Sequence, residues 1–423
     1  MKTDAKPVTI AVFGATGDLA KKKIFPALSA LYGEGLLPPG SRVIAVSRRE
    51  WDDAGFRQFL RDSGSAVSDG FLRVVEYAEV DFEEGRGYAE LKDRIVRTKS
   101  DVMVYLSLAP RFFPIVMKAL RKAGIAKKGR TKFLFEKPFG VDEASACSLN
   151  RLLSSFLSQD QIYRVDHYLG KGVVRAIMSM HESTESLRQI ISKETVESVT
   201  VALLETKGID DRGASYDGVG AFRDVGQNHI LEALAVLMAE YPKKSSAKAW
   251  QDARAKVLES LVPPANTCEF SRRGQYRSYM LERGVREGSE TETAFEVMTS
   301  FSRGELKGIP VALQAGKCMP GARAYLRLVF RDIPGFPRSI EFEIQPEERV
   351  IMRSKDGREE TIAMPKSRDA YANVILDALS GKTRHFVGSR EMQASWRYAD
   401  RIVACWGKVP LEHYDEERPF FLS

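Results

Sequence analysis

Val8-Thr9-Ile10-Ala11-Val12-Phe13-Gly14-Ala15-Thr16-Gly17-Asp18-Leu19-Ala20 decides how the first part of the chain is read. Its first six residues are mostly β-branched and almost wholly apolar, the composition of a strand buried on both faces of a parallel sheet. The glycines predict a strand-to-helix turn whose backbone can approach a pyrophosphate, with the positive end of the next helix meeting its charge. A purely structural turn also explains many such glycine pairs. Leu28, Leu31 and Tyr32 carry helical spacing, and Gly33 and Gly35 supply stops. Pro26 predicts a short first turn with the helix restarting near it.

Outward from this stretch, Arg42 to Ser47 predicts a second buried strand, ending in Arg48-Arg49. At that position of a dinucleotide fold an acid favours the free ribose diol, whereas arginine accommodates a 2′-phosphate. Glu50 falls slightly late for the acidic role, so the charge pattern favours NADP, with NAD the weaker alternative. Further apolar runs at Phe71 to Val75, Val102 to Leu108 and Phe133 to Phe135 alternate with helix-length polar segments, the pattern of a doubly wound α/β domain. The last run opens into Glu136-Lys137-Pro138-Phe139-Gly140, where a lysine at the carboxyl end of a parallel strand can meet both a carboxamide and a substrate hydroxyl.

A short strand-like run, Gln161 to Tyr163, precedes Arg164-Val165-Asp166-His167-Tyr168-Leu169-Gly170-Lys171, which gathers an acid, an imidazole, a phenol and an ammonium able to meet an anion. A solvated surface pair, with Tyr168 and Leu169 in the core, is the plainer reading of the same residues. Beyond it the texture changes. Ser198 to Thr206 is strand-like, a glycine-rich loop spans Lys207 to Gly213, and Ile230 to Met238 is apolar nearly all round, as in a buried helix. His229 stands at the polar beginning of that helix, close to Asp224 and Asn228. A loop-rich connection runs from Pro264 to Arg286. Thr293 to Arg303, Val311 to Ala315, Ala324 to Arg331 and Ser339 to Arg353 then predict one large, mainly antiparallel sheet, followed by helices at Asp369 to Leu379 and Arg390 to Trp406.

With 423 residues, two domains are expected, divided at 1–165 and 166–423. The net charge of +7 comes from 64 basic residues interleaved with 57 acidic ones, without aromatic-basic tracts, which argues against nucleic acid and suits small anionic ligands. Lys21-Lys22-Lys23 and Lys127-Lys128 are the tight basic runs. Cys147, Cys268, Cys318 and Cys405 are scattered, without metal-ligand spacing, which fits a reducing cytoplasm and no structural metal. No run has the length of a signal peptide or a membrane span, so no membrane association is expected.

The sequence resembles the glucose-6-phosphate dehydrogenase family through GATGDLAKKKIFPAL (14–28), FEKPFG (135–140), RVDHYLGK (164–171), RDVGQNHILE (223–232), GQYRSYMLERGVREGSETETAF (274–295), QAGK (314–317) and DAYANVILDALSGKTRHFV (369–387), in the family's order. The resemblance implies a Rossmann domain followed by an α+β domain, and oxidation of glucose 6-phosphate to the 1,5-lactone with hydride transfer to NADP, the first step of the oxidative pentose phosphate pathway. It implies that His229 is the general base and Asp166 its dyad partner. His167, Tyr168 and Lys171 match the substrate-phosphate cradle, and Glu205, Asp224 and Lys317 the residues holding the sugar. Lys23 and Lys137 match lysines between sugar and cofactor, Gly14, Thr16, Gly17, Asp18 and Leu19 the phosphate-binding turn, and Arg48 the 2′-phosphate contact. A cytoplasmic homodimer or homotetramer is expected.

The chain departs from the family at three places. Ala322, with Arg323 beside it, stands where a second basic residue usually faces the substrate. Gly172 stands where an acid is common, and Glu343 where a basic residue of a second, structural NADP is expected, so no second nucleotide is predicted. Two rivals remain at this stage: a related Rossmann oxidoreductase of an unphosphorylated sugar or cyclitol, against which RVDHYLGK argues, and a non-catalytic assembly paralogue, against which Asp166, His229 and Lys137 argue.

Overall fold

The computed structural model describes all residues except 1–5, 98–99, 127–129, 183–186, 188–189, 241–245, 264–269, 416–417, 419 and 422–423. Lys127-Lys128, Pro264 and Cys268 therefore lie outside the described residues. Two compact units result, one made of Met1–Gly140, Ala144–Gly170 and Arg368–Val387, the other of Val141–Glu143, Lys171–Ser367 and Gly388–Ser423.

The first unit is built on six strands, β1 (Val8–Phe13), β2 (Arg42–Ser47), β3 (Val75–Glu79), β4 (Asp101–Leu106), β5 (Thr131–Phe135) and β6 (Ile162–Arg164). They lie in the order β3-β2-β1-β4-β5-β6, all parallel, the doubly wound arrangement that the apolar runs predict. Every residue of β1 is buried, as a central parallel strand requires. After it the chain coils as a π-helix over Ala20–Ile24 and continues as an α-helix over Phe25–Gly33; Pro26 has no N–H to give the preceding π-turn, and the Lys21 carbonyl accepts the Ser65 hydroxyl at 2.9 Å instead. Phe71 to Val75 is not a strand. Ser68 accepts the Phe71 N–H at 3.2 Å and caps a short helix, Asp69–Leu72, so β3 starts only at Val75.

The core of this unit includes Tyr371, Val374, Ile375, Ala378 and Phe386 from much later in the sequence. Residues 368–387 thus return to the first unit, and the expected single boundary after 165 differs from this division. Asp369 caps the returning helix, Ala370–Leu379, by accepting the Tyr371 N–H at 2.8 Å.

The second unit carries a ten-stranded sheet of β7 (Val196–Leu204), β8 (Leu261–Val262), β9 (Ser271–Tyr276), β10 (Ala294–Phe301), β11 (Pro310–Gly316), β12 (Arg323–Phe330), β13 (Ser339–Gln345), β14 (Arg349–Arg353), β15 (Glu359–Ala363) and β16 (Leu411–Tyr414). It is mainly antiparallel, with β7 beside β11 and β9 beside β16 running parallel. Ser339 to Arg353 is a hairpin, β13 and β14, rather than one strand; the turn contains Pro346, which cannot donate to a ladder. The supposedly loop-rich connection to Arg286 contains β9, whose alternation is hidden because Ser271, Arg273 and Gln275 are buried polar residues.

Arg254, fully buried, donates through Nη2 to Glu391 at 3.1 Å and lies 3.9 Å from Glu232, tying together the helices Leu231–Met238, Ala247–Ser260 and Ser389–Cys405. Cys147 and Cys318 are free, whereas Cys405 is disulfide-bonded, which its sequence spacing does not announce. Among the described residues no helix is long and apolar enough to cross a membrane.

Candidate active site

In the first unit the expected ligand-binding residues follow carboxyl ends of parallel strands: Gly14 to Leu19 after β1, Arg48 after β2, Lys137 after β5, and Asp166 to Tyr168 after β6. Ligands of doubly wound sheets bind at that edge. Gly14 has φ +73°, and a Cβ there would meet the Ser107 carbonyl oxygen at 2.1 Å, so the turn admits no side chain. The Gly14 N–H donates to Val46 O at 3.0 Å and the Gly17 N–H to Gly14 O at 2.9 Å. Asp18 is exposed, and a hydrogen bond from Lys21, with further help from Lys22, holds its carboxyl below the usual range. Lys23 is exposed. Of the two arginines after β2, Arg49 lies 4.9 Å from the Trp51 ring centroid, whereas Arg48 is exposed and in no ion pair among the described residues.

Glu136 is buried and accepts the Tyr105 hydroxyl at 2.5 Å. Burial pushes its carboxyl up to about 7, against the opposing pull of that hydrogen bond and of Lys137. The Lys137–Pro138 peptide is cis. Asp166, also buried, accepts the Tyr168 N–H through Oδ1 at 2.9 Å, which shapes the turn His167–Gly170. The His167 ring stacks on Tyr371 (centroids 5.4 Å apart, planes at 12°) and meets Tyr168 edge-on at 5.1 Å. The helix bearing Tyr371 is locked to this turn: Asn373 Nδ2 donates to Gly170 O at 2.9 Å, and a Cβ on Gly170 would lie 2.5 Å from Ala370 O.

In the second unit β7 and β11 are parallel neighbours with Leu204 opposite Gly316, so the next residues, Glu205 and Lys317, emerge side by side. Lys317 Nζ is 2.6 Å from Glu205 Oε2 and 3.7 Å from Asp224 Oδ2, and lies 5.6 Å from the Tyr216 ring centroid. Arg212 reaches the same Asp224 oxygen at 3.9 Å. Asp224 and His229 share one π-helical stretch, Phe222–Ile230, which runs on into Leu231–Met238. Wide π-turns of this kind often mark functional segments. Here the stretch is fixed by its own polar side chains: Gln227 donates to Ser395 Oγ at 2.8 Å, Asn228 Nδ2 to Arg223 O at 3.1 Å, and the His229 N–H to Asn228 Oδ1 at 2.8 Å. His229 itself is buried. Lys171 precedes the helix Gly172–Glu182, its carbonyl accepting the Arg175 N–H at 3.0 Å.

Arg323, next to Ala322, is engaged by carboxylates of the sheet itself. Its guanidinium, at the start of β12, pairs with Glu341 and lies 3.5 Å from Glu343, which in turn pairs with Arg349. Sequence reasoning missed Tyr371, Tyr216 and Arg212. Tyr371 lies within a recognised stretch, DAYANVILDAL, but nothing in the sequence says that it meets His167, about two hundred positions earlier.

The model of "Glucose-6-phosphate dehydrogenase, NAD binding domain" matches residues 11–176, and that of "Glucose-6-phosphate dehydrogenase, C-terminal domain" matches residues 178–418. The glucose-6-phosphate 1-dehydrogenase of Kluyveromyces lactis is 30% identical over 92% of this chain and 87% of its own length, and that of Bacillus subtilis 30% identical over 96% and 93%. A solved glucose-6-phosphate dehydrogenase in complex with its substrate glucose 6-phosphate superposes with a TM-score of 0.85 at 27% identity, covering 100% of both chains. By fold, by motif order and by similarity along nearly its whole length, the chain belongs to the glucose-6-phosphate dehydrogenase family.

Proposed function

We propose that this protein oxidises D-glucose 6-phosphate to 6-phospho-D-glucono-1,5-lactone, with NADP as the preferred hydride acceptor. The observation that carries the reading is the buried Lys317 ammonium beside Glu205 and Asp224, with His229 on the same helical stretch as Asp224. Alternating carboxylate and ammonium groups are the partners that a ring of sugar hydroxyls requires, since each hydroxyl both donates and accepts.

His229 takes the proton of the anomeric hydroxyl as C1 gives up its hydride, and the lactone carbonyl forms. Asp166 stabilises the imidazolium and fixes its tautomer, the task of a carboxylate paired with a catalytic histidine. His167, Tyr168 and Lys171 bind the substrate phosphate, and charge-assisted bonds of this kind outweigh neutral ones. A dinucleotide fits the first unit because the Gly14 turn brings bare backbone to the strand edge where a pyrophosphate binds, and Arg48 offers a guanidinium where a 2′-phosphate would lie. Thr16, Gly17, Asp18 and Leu19 complete that turn, while Lys23 and Lys137 serve the region between cofactor and sugar. When bound, the nicotinamide supplies the hydride-accepting carbon. We further place the protein in the cytoplasm as a homo-oligomer, on the strength of the family likeness.

The test is nicotinamide reduction by the purified protein given glucose 6-phosphate, free glucose or neither, with NADP and with NAD. Preference for the phosphorylated sugar with NADP is expected. Preference for free glucose would return the protein to the wider class of sugar oxidoreductases.

A further inference from the structure

The peptide plane between Lys171 and Gly172 is held at both ends. Its carbonyl accepts the Arg175 N–H at 3.0 Å, the first bond of the helix Gly172–Glu182. Its N–H donates to Glu348 Oε1 at 2.8 Å. The other Glu348 oxygen accepts the Ser367 hydroxyl at 2.7 Å, and the Glu348 carbonyl accepts the Met364 N–H at 3.2 Å. Glu348 is therefore fixed through its side chain and its backbone before it grips the helix. Its carboxylate also lies against Gly172 so closely that a Cβ there would come within 2.3 Å of Oε2 and 2.7 Å of Ser367 Oγ. The absence of a side chain at 172 is what admits the carboxylate.

We propose that Glu348 is a positioning residue for Lys171. With both polar groups of the 171–172 peptide engaged, rotation about the Lys171 Cα–C bond is restrained, and the Cα–Cβ bond from which the Lys171 side chain extends is oriented before substrate arrives. A carboxylate is suited to the task, because helix N–H groups and the positive end of the helix dipole both favour an anion there. Without it the helix start frays, and the lysine spends part of its time aimed elsewhere. Binding then weakens in proportion to the competent fraction, while chemistry on bound substrate is spared. The inference rests on the reading of Lys171 as a ligand of the substrate phosphate.

Four variants test it: Glu348→Ala, Glu348→Gln, Gly172→Ala and, as reference, Lys171→Ala. Glu348→Ala is expected to raise KM for glucose 6-phosphate by roughly threefold to tenfold, leaving kcat and the KM for the dinucleotide within about twofold. Gly172→Ala, whose methyl group evicts the carboxylate, should move KM the same way. Glu348→Gln should stay close to wild type, since its amide oxygen still accepts the Gly172 N–H and its NH2 can donate to Ser367. A raised KM in Lys171→Ala with an unchanged KM in Glu348→Ala would overturn the positioning role alone. Equal losses in kcat and in both KM values for Glu348→Ala, with a lowered melting temperature, would reduce Glu348 to a structural cap. An unchanged KM in Lys171→Ala would defeat the phosphate reading beneath the inference.

Discussion

Lys317 and Glu205 meet at 2.6 Å because parallel neighbours β7 and β11 end in register, so one backbone pairing sets both the ammonium and the carboxylate. Lys317 is buried to within a few per cent of completely, while the Glu205 side chain is 40% exposed. Losing the acid leaves the ammonium in a dry place with Asp224 at 3.7 Å, whereas losing the cation leaves a carboxylate that water can reach. Glu205→Gln should cost roughly 1–3 kcal/mol of stability, whereas Lys317→Met should cost under about 1 kcal/mol because water screens the carboxylate left behind. Denaturant unfolding of both variants checks this asymmetry; equal costs would contradict it.

Arg323 belongs to a network on one face of the sheet, in which buried Glu341 also meets Arg327 and Arg353. Two guanidinium groups remain when one is removed, so Arg323→Ala should destabilise by only about 1 kcal/mol. KM for glucose 6-phosphate should not move. A selective rise in that KM would show that Arg323 leaves Glu341 to meet the substrate.

On the proposed reading, cofactor choice turns on Arg48, the other arginine after β2 being Arg49, which lies over Trp51. A charge-assisted hydrogen bond is worth roughly 1.5–3 kcal/mol, so Arg48→Ala should weaken NADP binding about tenfold to a hundredfold and leave NAD nearly unchanged. Titrating each dinucleotide by fluorescence measures both. Equal losses would assign Arg48 to the fold.

Much of the first unit was legible in the sequence because parallel strands buried on both faces are continuous apolar runs, as β1 and β2 are. Phe71 to Val75 misled for the same reason: the Ser68 cap, and not hydrophobicity, decides that the segment begins as a helix. In the second unit β9 was missed because its buried positions hold Ser271, Arg273 and Gln275, paired with groups that are distant in sequence, such as Val409 O for Arg273 at 2.8 Å. Among candidate site residues, those in short motifs could be found by eye. The Lys317–Asp224 approach, the Tyr371–His167 stack and the grip of Glu348 on Gly172 could not, since each joins segments whose spacing in the chain carries no pattern.

Glu292, just before β10, makes stability depend on pH. It is buried, and burial pushes its carboxyl from 4.5 up to about 7, although its Oε1 accepts the Phe222 N–H at 3.1 Å. The native state thus holds a proton that the unfolded chain has already lost. This group's contribution is complete below the unfolded value and is lost as pH rises through the folded one. Glu292→Gln keeps an acceptor for Phe222 and removes the titration. The variant should gain on wild type as pH is raised from about 5 to about 8, by at most on the order of 3 kcal/mol. Melting curves at both pH values check this; a variant that loses ground to wild type as the pH is raised would contradict it.

His229, proposed as the base in the oxidation of glucose 6-phosphate, is tested by steady-state turnover of His229→Asn with that sugar and NADP. Removing a general base costs about two to four orders of magnitude in rate with little change in ground-state binding. A collapse of kcat of that size is expected, with KM for the sugar close to wild type. Turnover within a few fold of wild type would contradict it.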